Sequence, residues 1–90
     1  MVSVRKVVLD VLKPHQPNAL EFSQTLAGVG PDYRVHLTVL EVDEHTETLR
    51  VIVEGSRLDF DAISEVIQKM GGSLHSIDEV EVQSGADADR

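Results

Sequence analysis

Between Val2 and Val82 the hydropathy pattern switches between two periods, and the order of the switches limits the available folds more than any other feature. Side chains alternate across a strand every second residue and recur on a helix about every 3.6 residues, so the two patterns are distinguishable by eye. Val2 to Lys13 reads as a strand with Val7, Leu9 and Val11 on one face and Val4, Lys6, Val8, Asp10 and Leu12 on the other. Both faces are partly apolar, as in a central strand. Pro14-His15-Gln16-Pro17 ends it, because proline cannot donate to a ladder.

Asn18 to Gly28 carries Ala19, Phe22, Leu26 and Val29 at helical spacing, with Pro17 suited to the first turn and Gly28 to the stop. Gly30-Pro31-Asp32 then supplies a turn. Tyr33 to Val42 and Glu47 to Glu54 alternate as strands, Val35, Leu37 and Val39 facing inward on one and Leu49, Val51 and Val53 on the other. The short polar Asp43-Glu44-His45-Thr46 between them predicts a hairpin.

The second helix is the best marked. Asp59 suits the N-cap, Leu58 and Ile63 can pack across it, and Ile63, Val66, Ile67 and Met70 form its buried stripe. Glu65 and Lys69 can pair at i,i+4, and Gly71-Gly72 closes the helix. Ser73 to Val82 is a last strand whose apolar residues break the period of two, which predicts a bulge near Ser76-Ile77-Asp78.

Strand–helix–strand–strand–helix–strand is the split-βαβ order. Right-handed crossovers make it a ferredoxin-like α+β sandwich, its antiparallel sheet ordered 4-1-3-2 with both helices on one face. Residues 1–83 form one domain and 84–90, ending in Gly-Ala-Asp-Ala-Asp-Arg, an acidic tail. The outer sheet face, with Val4, Val8, Leu12, Leu40 and Ile52 among polar residues, is expected to meet another subunit or a ligand, with Lys6, His36, Arg50, His75 and Asp78 as the candidate contact residues.

Composition removes several function classes. Without cysteine there is no disulfide, thiolate nucleophile or cysteine-based metal site. Sixteen acidic against eight basic side chains give a net charge of −8, a poor match to phosphate backbones, so nucleic acid is not an expected partner. The strand positions that stack bases in RNA-binding versions of the fold are aliphatic here. No stretch is apolar enough to span a membrane, and the N-terminus enters a strand at once, so a cytoplasmic protein is expected.

Four strings are familiar: Val8-Leu9-Asp10-Val11-Leu12-Lys13-Pro14-His15, Val39-Leu40-Glu41-Val42-Asp43, Leu58-Asp59-Phe60-Asp61-Ala62-Ile63, and Gly71-Gly72-Ser73-Leu74-His75-Ser76-Ile77-Asp78-Glu79-Val80. With them the chain resembles, from about Val4 to Val82, the small archaeal family known as domain of unknown function 211. The resemblance implies a ferredoxin-like fold and ring-like or other homo-oligomeric assembly, and brings no enzyme activity with it.

Candidate sites lie where the topology gathers polar groups. The end of strand one, the hairpin and the start of strand four share one end, collecting Asp10, Glu41, Asp43, Glu44 and Glu47 with His15, His45 and His75. Asp10, Asp43 and Glu47 are the candidate ligands for calcium or magnesium, which seek several oxygens. A solvated acidic hairpin is the competing reading. Asp10, within a central strand, requires a partner such as Lys6, Arg50, a cation or another subunit. His75 and Asp78 flank Ser76, but no oxyanion hole or strained nucleophile turn accompanies them, so capping of the bulge is expected and no catalytic residue is assigned. The sequence thus points to a non-enzymatic homo-oligomeric module that binds a divalent cation or small ligand, or alternatively to a docking subunit for another protein.

Overall fold

A computed structural model describes residues 1–85. It contains β1 (Val2–Pro14), α1 (Ala19–Ala27), β2 (Arg34–Val42), β3 (Thr46–Glu54), α2 (Phe60–Lys69) and β4 (Ser73–Ser84). The sheet runs β2-β3-β1-β4 with every neighbouring pair antiparallel, and both helices cover one face. This is the ferredoxin-like sandwich the periodicity predicts. β4 continues to Ser84, into residues the sequence assigns to the tail, and Gly85 donates its N–H to the Met1 carbonyl at 2.8 Å. The rest of that tail lies outside the described residues.

The central strands supply the core because they alone are flanked on both sides. Val7, Leu9 and Val11 of β1 and Leu49, Val51 and Val53 of β3 are buried against Phe22 and Leu26 of α1 and Ile63 and Ile67 of α2. Removing this aliphatic surface from water, at about 25 cal/mol per Å², is the main favourable term in folding.

Local signals fix the helix ends. Asp59 caps α2, its Oδ1 accepting the Ala62 N–H at 3.1 Å, and Leu58 and Ile63 share one core cluster beneath the cap. The Asp59 N–H in turn donates to the Tyr33 hydroxyl at 2.6 Å. Gly71, at φ +87°, ends α2 in the left-handed region that glycine enters without cost. In α1 the N-cap is Asn18, which accepts from the Glu21 N–H at 2.8 Å, so Pro17 precedes the helix and does not occupy its first turn. Gly28 closes α1 in right-handed geometry, open to any residue.

Irregular pairing alters which way side chains face. Between β1 and β4 the register shifts three times, leaving Arg5, Asp78 and His75 as extra residues. The last two flank the Ser76-Ile77 step where the sequence places a kink. The extra Arg5 puts Val4 against the core and not on the outer face. Leu40 is extra in β2, and Val39 before it is 39% exposed although it continues the inward set. On the outer face Val8 is only 8% exposed, while Lys6 reaches Glu79, the residue opposite Val8, at 3.2 Å. Leu12 and Ile52 are half-buried there, so the outer face is less open than its sequence suggests.

The helices are short for the strands they cover. Ten residues of helix span roughly 15 Å, whereas twelve of strand span roughly 40 Å. The molecule is accordingly elongated, 47 × 22 × 18 Å. No described helix is long and apolar enough to cross a membrane.

Candidate functional site

The alternation that buries Val7, Leu9 and Val11 places Lys13 next on the same face, and Lys13 is wholly buried. A buried ammonium is costly unless its charge is balanced and its three protons are bonded. Both conditions are met. Its Nζ lies 2.9 Å from Glu47 Oε1, and it donates to the carbonyls of Pro14 and Pro17 at 2.8 Å each, with the His15 carbonyl at 3.4 Å. The Phe22 ring centroid is 6.0 Å away, at the outer limit of a cation–π contact. The loop between β1 and α1 thus folds around the lysine, its carbonyls turned inward.

His15, on that loop, completes the group. Its Nδ1 lies 3.0 Å from Glu47 Oε2, and its Nε2 lies 2.9 Å from the Glu44 carbonyl in the β2–β3 hairpin. A carboxylate and a carbonyl both only accept, so each ring nitrogen must carry a proton for both bonds to form. The Glu47 hydrogen bond, then the Glu44 carbonyl, hold His15 above its ordinary pKa, with burial opposing weakly. Glu47 is held below its ordinary value by the His15 bond first and the Lys13 bond second. Both Glu47 oxygens are therefore engaged, one by each cation.

The other residues singled out by sequence lie elsewhere. Asp10 is half-buried on the outer face, opposite Arg50 in β3 and Ser76 in β4. Glu47 belongs to the core-facing set with Leu49, so Asp10 and Glu47 occupy opposite faces of the sheet. Asp43 closes the hairpin through its N–H to the Thr46 carbonyl at 2.8 Å. Among the described residues no three acidic or histidine side chains are placed to share a metal ion. Lys6 pairs with Glu79, and His36 and Arg50 stand exposed on β2 and β3. Asp78 accepts from the Ser76 hydroxyl at 2.7 Å, the bulge-capping contact, and His75 is exposed beside it.

Lys13 is legible in the sequence only by extending the parity of β1 by one step of two residues past Val11. Glu47 then falls opposite it, since Val11 pairs with Leu49.

A second feature is apolar. Leu74, Ile77 and Val80 of β4 stand opposite Val11, Leu9 and Val7, on the helix side of the sheet. Yet Ile77 is 49%, Val80 56% and Val82 50% exposed, because α2 stops short of this flank. At the other edge, Ala19, Leu20 and Ser23 of α1 and Val35, His36 and Leu37 of β2 line an open groove of about 350 Å³.

Two comparisons with known proteins bear on this arrangement. Residues 5–86 match the family DUF211, described as Uncharacterized ArCR. The chain is also 45% identical over 80 residues to Uncharacterized protein MJ0319 of Methanocaldococcus jannaschii, across 89% of this chain and 82% of that protein.

Proposed function

Because the chain belongs to the DUF211 family, whose description assigns no activity, we propose from its own geometry that it is a non-catalytic, homo-oligomeric module whose copies join edge to edge. The half-exposed Ile77, Val80 and Val82 carry this reading. They sit on β4, which among the described residues is an edge strand of the sheet, an arrangement that favours pairing with another strand. A second copy fits because the two edges differ in charge. β4 carries Asp78, Glu79 and Glu81 beside His75, with Glu79 paired to Lys6, whereas β2 carries Arg34 and His36 against the single carboxylate of Glu41, with Arg50 one strand inward. The groove between α1 and β2 lies on the helix side, the side on which β4 exposes its apolar residues. Pairing β4 of one copy with β2 of the next is head-to-tail, and such contacts close into rings or continue as filaments. That the module is non-catalytic is supported by the polar group at the Lys13 end, whose donors and acceptors are engaged with one another.

Light scattering on the isolated chain at micromolar concentration, in physiological or higher salt, tests this. A multiple of 9.9 kDa is expected. Salt matters because each copy carries a net −8, and long-range repulsion is screened beyond about 8 Å at 0.15 M. A 9.9 kDa particle under these conditions would overturn the reading and leave docking to a different protein as the use of the edge.

A further inference from the structure

The β1–β3 ladder ends with Pro14 opposite Thr46, and His15 adds a side-chain link beyond that last pair. Its main chain belongs to the loop wrapped around Lys13, and its ring reaches the β2–β3 hairpin at the Glu44 carbonyl and the start of β3 at Glu47. The groups facing the ring are the Glu47 carboxylate from β3, the Lys13 ammonium from β1 on the far oxygen of that carboxylate, and the Asp43 and Glu44 backbone from the hairpin. The Glu44 carboxylate lies 3.8 Å from His45.

We propose that doubly protonated His15 is a pin that holds the β2–β3 hairpin against the β1–α1 loop, and that loss of one ring proton releases the hairpin. The reason is stoichiometric. A neutral imidazole has one N–H and one lone pair, and here both neighbours are acceptors. Whichever nitrogen loses its proton, one lone pair then faces an oxygen lone pair at about 3 Å, and that contact turns repulsive. The charged Glu47 carboxylate, fixed to β1 through Lys13, is the stronger acceptor and holds the remaining proton on Nδ1, so the contact that turns repulsive is Nε2 to the Glu44 carbonyl, and the hairpin is the partner free to move away. Because the ring is 40% exposed, solvent protons reach it without unfolding the core. The raised pKa of His15 places the release on the alkaline side of an ordinary histidine. The hairpin would open while the core, sealed by Lys13, stays closed. This inference is independent of the assembly proposed above.

Histidine-ring and amide NMR on the isotopically labelled full chain, from about pH 5 to 9, tests it. At the acid end both His15 ring nitrogens are expected to carry protons, and the ring should titrate above the ordinary value of 6.5. The protection factor of the Asp43 amide, already corrected for the intrinsic pH dependence of exchange, should fall about threefold or more through the same midpoint. In His15→Gln it should stay flat over that range. A ring holding one proton throughout, a midpoint at 6.5 or below, or protection that ignores the midpoint overturns the proposal. So does the same pH-dependent loss in His15→Gln, which would assign it to another group.

Discussion

Lys13 and Glu47 face each other across the β1–β3 ladder, 2.9 Å apart from Nζ to Oε1, at the last rung of the stripe that forms the core. The pair turns an apolar layer into a polar end without leaving a buried charge unpaired. It also draws the β1–α1 loop and the β3 strand to one point.

Glu47→Ala removes the counter-charge of the fully buried Lys13 and frees His15 at the same time. Breaking one side of a buried pair typically costs about 3–5 kcal/mol. The lower figure of about 3 kcal/mol is expected here, because three carbonyls remain near Nζ and Glu47 itself is partly exposed. Denaturant midpoints measure the loss. A midpoint equal to the parent's would mean that the lysine escapes to water.

The same residues set a stability window in pH. Glu47 has a folded pKa below 4.5, so its contribution is complete above pH 4.5 and fades as pH falls through the folded value. His15 has a folded pKa above 6.5, so its contribution is complete below pH 6.5 and fades as pH rises through the folded value. Urea midpoints of the parent and of His15→Gln should therefore differ most at pH 4.5–6.5 and converge on the alkaline side. A constant difference across pH would contradict the ion pair.

Asp59→Ala should cost about 1 kcal/mol through the lost cap at Ala62 and the lost charge at the helix start. Chemical denaturation reads this directly, and Asp59→Asn, which keeps an accepting oxygen, should recover most of the loss.

Ile77→Lys and Val80→Lys separate assembly from folding. Both side chains are about half exposed in the single chain, so thermal stability measured at high dilution should change little. Light scattering should nonetheless show the particle mass falling toward 9.9 kDa. Mass unchanged in both variants would place the contact on another surface.

The order and type of all six elements are legible in the sequence because each signal is local: alternation in the strands, the Asp59 cap, the Gly71-Gly72 stop. Facing is legible only where pairing is regular. Arg5, Leu40, His75 and Asp78 are extra residues in their ladders, and each resets the parity of its neighbours along the strand, which no single strand records. Val4 therefore reads onto the wrong face. Lys13 escapes notice because a lysine beside a proline reads as the end of a strand, although parity already puts it inside. The acidic residues near the hairpin share an end of the molecule, whereas the sheet separates Asp10 from Glu47 by face. The apolar flank of β4 depends on how far α2 reaches, a matter of relative lengths that periodicity does not encode.

The bulges in β4 bear on misassembly as well as on shape. A straight, apolar edge twelve residues long would template any extended segment, including partly unfolded copies of the same chain, and so seed fibrils. The extra residues His75 and Asp78 interrupt its hydrogen-bonding repeat, and Glu79 and Glu81 repel unfolded copies of an acidic chain. A strand with a matching irregularity suits this edge better than an arbitrary extended segment. Bulges and charge thereby narrow what the edge accepts.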